Sequence, residues 1–240
     1  MKIPQEEFLS WAESAYLSTG QHRFSWKILS KLTGYSQARL SMQKGRGYIE
    51  SFVVIAFARG LGLDPVQQLL TFPYFGRLLR AEAPTQEEIL ALVSTQDLAR
   101  ELRYRLGAPD RGDEPLSSEA ENLGFLRWYD AAVKRGEGVR IAAEMNITAP
   151  VLSSRNIRNT WSMGELHDMC EAGDLNYRMS LVAAGHITLE EAGYGADLRE
   201  QTLENIADDQ FFTYFKQALG HMERQARAIT DLRRMSEHLG

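Results

Sequence analysis

The feature that most constrains this chain is a line written twice. FLSWAESAY, from Phe8 to Tyr16, returns as FLRWYDAAV, from Phe125 to Val133. After a shorter connection, Trp26 to Phe75 lies over Gly138 to Ile187 without a gap. Apolar positions coincide: Leu29 with Ile141, Tyr35 with Ile147, Leu40 with Leu152, Val54 with Leu166, Phe57 with Met169, Leu63 with Leu175, Leu69 with Leu181. Helix starts coincide as well, Ser36 with Thr148 and Asp64 with Asn176. Unrelated amphipathic segments lose register at once, so the chain holds an old duplication or two related modules, and a fold for the first copy must also suit the second.

The pattern within each copy is helical. No stretch alternates apolar and polar residues for long between turn signals. Capping boxes, in which a Ser or Thr accepts from the first free amides and a Glu three residues on reaches back, fit Ser118 with Glu121, Ser162 with Glu165, Thr85 with Glu88 and Thr188 with Glu191. Asp64 before Pro65 is another start, with a capping acceptor followed by a proline where its missing N–H costs nothing. In the first copy Ser25 caps one short helix, Gly34 supplies a turn and Ser36 caps the next. In the second, Asn146 takes the turn, as one of the few non-glycine residues that tolerate positive φ, and Thr148 caps.

The phrases LSKLTGYSQARLSMQKG and IAAEMNITAPVLSSR resemble the helix-turn-helix of the lambda-repressor-like (Xre/Cro) family, and IESFVVIAFARGLGLDP looks like that family's following helix. The elements that carry the likeness are Leu29, Gly34, Ser36, Leu40, Ala58, Leu61, Gly62 and Leu63. Two places depart from it. Trp26 and Gly138 stand where many members have a phosphate-bracing glutamine, and Asp174 stands where the first copy has Gly62. The expected fold is all-α: two tandem helix-turn-helix bundles joined by a helical linker, with a long C-terminal helix. The expected bounds are 1–78, 79–117, 118–195 and 196–240.

The resemblance implies that the second motif helix enters the major groove of double-stranded DNA. Gln37 and Arg39 have the chemistry to read adenine and guanine, and Met42 to touch a thymine methyl. Ser25, Trp26, Lys27, Ser36, Gln43, Lys44 and Arg46 complete the first expected contact set, largely toward phosphates. In the second copy the set is Arg140, Thr148, Ser153, Ser154, Arg155, Asn156 and Arg158. Charge favours the first copy. Between Phe24 and Gly47 lie Lys27, Lys31, Arg39, Lys44 and Arg46 with no acidic residue, in a chain of net charge -5. Such segregation is the footprint of a phosphate-facing surface. The second copy sets Arg140, Arg155 and Arg158 against Glu137 and Glu144, so weaker DNA binding is expected there.

Helices are expected from near Thr85 and Thr95, then a Pro, Gly and Asp loop between Pro109 and Pro115. In the last segment Phe212, Phe215, Leu219, Met222, Ala226 and Ile229 step by three and four, with Leu232, Met235 and Leu239 continuing. That helix serves either to pair two chains into a homodimer or to pack back on its own chain.

The longest apolar run, FVVIAFA, is far short of a membrane span, the N-terminus has no signal-peptide pattern, and Cys170 is the single cysteine. A cytoplasmic protein with no membrane partner is expected. The five histidines are scattered, no phosphate loop or dinucleotide fingerprint occurs, and Cys170 matches Ala58, a core position. Neither enzyme nor cofactor is expected. The sequence reads as a sequence-specific DNA-binding regulator, similar to phage or prophage repressors. The alternatives are an interaction module, such as an antitoxin or anti-repressor, and an architectural or recombination-directing DNA binder.

Overall fold

The computed structural model describes residues 1–80, 82–112, 114–117 and 123–238, leaving aside the side chains of 123, 225, 228, 229 and 231–238. The chain is all-α apart from one small sheet. Strand β1 (Lys2–Pro4) leads into α1 (Gln5–Ser18), α2 (Trp26–Thr33) and α3 (Gln37–Gly45), followed by β2 (Tyr48–Glu50), α4 (Phe52–Leu61) and α5 (Pro65–Leu69). A 3-10 segment (Pro73–Leu79), α6 (Gln86–Leu90) and α7 (Thr95–Arg105) lead to the second copy. That copy comprises α8 (Leu123–Ala132), α9 (Glu137–Glu144), α10 (Ala149–Arg158), α11 (Met163–Gly173) and α12 (Tyr177–Ala183). Helices α13 (Leu198–Asn205) and α14 (Asp208–His238) close the chain. Among the described residues no helix is long and apolar enough to cross a membrane.

The helices of the two copies correspond, α1 to α5 with α8 to α12, while β1 and β2 occur in the first copy only among the described residues. Leu29 and Ile141, Leu40 and Leu152, Val54 and Leu166, Phe57 and Met169, and Leu69 and Leu181 are all buried. Each such side chain contributes on the order of 1.5–3 kcal/mol through area removed from water. The two turns agree in handedness: Gly34 has φ 72 and Asn146 φ 55. So do the two ends of α4 and α11, where Gly62 has φ 70 and Asp174 φ 50. Asp174 therefore keeps the geometry that the missing glycine put in question, because a short polar side chain is tolerated in the left-handed region. Asp64 accepts from the amides of Val66 and Gln67, and Asn176 from that of Met179. Thr148 stands at the cap of α10 but accepts no hydrogen bond, a correction to its expected role. The next two residues are Ala149 and Pro150, and the proline removes one of the amides a cap would serve.

Of the four expected capping boxes, those at Thr85, Ser162 and Thr188 are formed. The box at Ser118 and Glu121 lies outside the described residues. The short helix expected from Thr95 is capped one residue earlier, by Ser94.

The sheet was not expected. β1 pairs antiparallel with β2, Ile3 opposite Ile49, and both isoleucines are fully buried under α1 and α4. The pairing returns the chain start to the end of α3 and so fixes where that helix ends.

The two copies meet through a reciprocal contact. Ser51 Oγ donates to Met163 Sδ at 3.3 Å, and these residues lie 112 apart, the spacing of the repeat. A contact between a residue and its own counterpart is one that a two-fold relation of the copies would place on its axis. Around it, Arg59 at the end of α4 pairs with Glu191 at 2.6 Å and donates to the His186 carbonyl at 3.0 Å. On the other side Arg77 pairs with Glu171, the counterpart of Arg59, and donates to the carbonyls of Cys170 (2.8 Å) and Leu175 (3.3 Å). Such self-complementary pairing is the isologous geometry of a dimer, built here inside one chain.

A second core forms between the linker and the C-terminal helices from Leu90, Val93, Leu98, Leu203, Ile206, Phe211, Tyr214 and Ala218. Arg105 fastens it through Glu101 and Asp208, both at 2.6 Å, and the carbonyls of Leu203 and Ile206. Helix α14 thus packs back on its own chain with the stripe Phe211, Tyr214, Ala218 and His221. The expected seam lies beside it: Phe212, Leu219, Met222 and Ala226 are exposed, and the Ile229 side chain lies outside the described residues.

Backbone conformation separates glycines that look alike in sequence. Gly34→Ala and Gly62→Ala should each lower stability by about 1–2 kcal/mol, because an L side chain is strained at positive φ. Gly45→Ala, in helical backbone with open space around it, should raise stability by about 0.5–1 kcal/mol. Urea unfolding of the three variants checks the signs.

Candidate nucleic-acid interface

The first module presents α3 on its surface because only one side of that helix is pinned. Leu40 is buried against α2, while Gln37, Ala38, Arg39, Ser41, Met42, Lys44 and Arg46 are exposed. The turn before α3 is held from within: Ser30 Oγ donates to the Tyr35 carbonyl at 2.7 Å, and Thr33 Oγ1 to that of Leu29 at 2.7 Å. Ser25 and Ser36 accept from the amides of Ile28 and Arg39, both at 3.3 Å, so their oxygens serve the helices first. Arg39 lies over the rings of Tyr35 and Phe52, at 4.6 and 4.9 Å, which limits its freedom and holds its guanidinium at the surface. Trp26 is half-buried, with Lys44 Nζ 5.4 Å from its ring. Lys27 is exposed.

Gln43 is a correction. It was expected among the contact residues, but it is buried, and its Oε1 accepts from the Glu50 amide at 2.9 Å. Its position three residues after Leu40, on the apolar side of the helix, was the sign available in sequence.

Lys2, Lys27, Lys31, Arg39, Lys44 and Arg46 are exposed and form no ion pair among the described residues. Lys2 was missed by sequence reasoning, since only the strand pairing brings it here, beside the Tyr48 ring. Ser41 was missed too, though it lies one turn from Gln37 on the open face and the spacing alone could have shown it.

In the second module two arginines of the expected contact set are paired, while Lys134, Arg135 and Arg158 are exposed with no ion pair among the described residues. Arg140 pairs with Glu144 at 2.6 Å and donates to the Ala172 carbonyl. Arg155 pairs with Glu165 and stacks on Trp161 at 5.3 Å. Burial alone would raise the Glu165 carboxyl, but bonds from Ser162 and Arg155 hold it below the usual carboxylate range. Asn156 is buried and accepts from Trp161 Nε1 at 3.0 Å. The expected contact role of Asn156 is corrected, because it is buried, while Arg140 and Arg155 remain at the surface with their charge answered by Glu144 and Glu165. Thr148, Ser153 and Arg158 are exposed, and Ser154 is half-buried.

Among the described residues, no group of three or more His, Cys, Asp and Glu side chains is placed to hold a metal ion. Cys170 is fully buried at the place of Ala58, and burial pushes its thiol up to about 12. No family model, curated protein or solved structure matches this chain.

Two measurements check these assignments. Gln43→Ala should cost about 1–3 kcal/mol of folding stability by leaving a buried amide unpaired, as read by urea unfolding. Cys170 should resist iodoacetamide at pH 8 in the native protein and react once urea unfolds it, followed by mass spectrometry.

Proposed function

We propose that this protein is a sequence-specific double-stranded-DNA-binding transcriptional regulator of the lambda-repressor-like helix-turn-helix kind, similar to phage or prophage repressors. It occupies operator DNA with α3 and blocks transcription. The observation that carries the reading is the set of unpaired cations around α3. The chain is acidic overall and closes Arg59, Arg77, Arg105, Arg140 and Arg155 onto carboxylates, whereas the five cations of α2, α3 and the residue after it, Lys27, Lys31, Arg39, Lys44 and Arg46, are exposed with no ion pair among the described residues and no acidic residue in their stretch of sequence. Positive groups kept free in this way release condensed counterions when they meet phosphates. Gln37, Arg39 and Met42 then lie where base edges are read, and Lys44 and Arg46 where the backbone is held. Because one chain carries two related modules, the reading needs no second chain. The module bearing α10, with Arg140 and Arg155 paired to carboxylates, adds fewer contacts and leaves the recognised site asymmetric.

A second reading, a protein-docking module such as an antitoxin or anti-repressor, draws on α9 and α10, where Val139 and Val151 are 67% and 41% exposed.

Selection from a random DNA pool followed by fluorescence titration at two salt concentrations separates the two. Gln37→Ala and Arg39→Ala should each weaken the selected site by about 1–3 kcal/mol and relax its sequence preference. Lys44→Ala and Arg46→Ala should weaken all sequences alike and lower the salt slope by about 1 each, while Arg158→Ala changes little. Binding indifferent to salt and to Arg39 would leave the docking reading in its place.

A further inference from the structure

The two copies differ at one large side chain. The first has Trp26 at the start of α2, its indole packed against the core. The second has Gly138 at the same place in α9. Between α8, the start of α9 and α10, the second module keeps a cavity of about 300 Å³. Leu126, Val139, Leu152 and Ile157 form its apolar walls, and Arg224 of α14 closes one side. The corresponding space in the first module is the neighbourhood of the Trp26 ring, between α2 and Lys44, whose counterpart Asn156 also lines the cavity.

One polar group is left over in this wall. Tyr129 stands where the first copy has Ala12, is 7% exposed, and its hydroxyl makes no hydrogen bond. A Cβ at Gly138 would stand 3.3 Å from that hydroxyl, a tighter approach than side chains ordinarily make, so the glycine spares the hydroxyl that contact. Burial pushes the phenol up to about 12, which keeps it protonated and able both to donate and to accept. Charge at the rim is already balanced: Asp130 holds Arg224 at 3.0 Å and His221 at 3.4 Å. The larger hollow between the copies, about 640 Å³, is less suited to a ligand. Its arginines are engaged, Arg59 by Glu191 and Arg199 by the Ser117 carbonyl at 2.6 Å.

We propose that the cavity of the second module is a binding site for a small, uncharged, flat bicyclic aromatic molecule of indole size, seated where the first module has its own tryptophan and hydrogen-bonded to Tyr129. Ligand sites are of this volume and kind, apolar with a few placed polar groups. Indole fits because its ring fills the place of the Trp26 side chain and its N–H donates to the Tyr129 oxygen. The site goes beyond the DNA-binding reading and does not depend on it.

The test uses the full chain without DNA, so failure here leaves that reading untouched. Indole and indene, which match in shape but differ in the N–H, are titrated by calorimetry and by thermal unfolding. Indole should bind once per chain and raise the unfolding midpoint, and indene should bind roughly five- to tenfold more weakly. Tyr129→Phe removes an unpartnered hydroxyl and so preserves the fold; it should erase the preference for indole. Gly138→Leu should fill the space and abolish both. No saturable indole binding at millimolar concentration, equal response to indole and indene, or indole binding indifferent to Tyr129→Phe would each overturn the proposal.

Discussion

The arrangement of this protein depends on an arginine set against the C-terminal end of a helix. The last turn of α11 carries the negative end of its dipole, and its Cys170 carbonyl already accepts from the amides of Asp174 and Leu175. Arg77, its side chain only 8% exposed, brings a guanidinium to the carbonyls of Cys170 and Leu175 and to Glu171. A guanidinium removed from water is stable only when such acceptors surround it, so the contact tolerates one relative placement of the two copies. On the other side of the contact, Arg59 performs the reciprocal task with Glu191 and the His186 carbonyl. Everything the surface offers, α3 included, is set relative to that frame.

Within the frame, two similar helical scaffolds carry unequal surfaces. The buried apolar positions agree, and so do the left-handed turns. What differs is whether a cation is answered by a carboxylate from its own module. Arg155 has Glu165 across from it and Arg140 has Glu144, whereas Arg39 has only aromatic rings beneath it. The two modules thus differ in charge placement as well as in the β1–β2 sheet, which among the described residues belongs to the first alone. They differ in volume too, with Trp26 present in one copy and Gly138 in the other.

Much of this was legible in the sequence. Five of the seven matched apolar pairs are buried in both copies, with Tyr35, Ile147 and Leu63 half-buried, and residues suited to positive φ marked both turns, because burial and backbone handedness are local demands that a residue type must meet. The sheet was not legible: β1 and β2 have three residues each, too few for alternation to show, and their pairing joins the chain start to a segment beyond three helices. Nor was the burial of Gln43 and Asn156, since an amide on a motif helix looks like a base contact until the spacing from Leu40 and Leu152 is weighed. In α14 the apolar residues form two adjacent stripes. Period alone could not decide that Phe211, Tyr214 and Ala218 face the chain and Phe212 and Leu219 face outward.

The contact of Ser51 with Met163 has a quantitative consequence for a two-headed molecule. When two identical chains must find each other before acting, the active population falls with the square of concentration on dilution. Here the covalent connection holds the second head at a fixed, high local concentration, whatever the number of copies in solution. Under the proposed reading, a chain that acts alone occupies its target in simple proportion to its abundance, and each module is free to change without needing its counterpart to change with it.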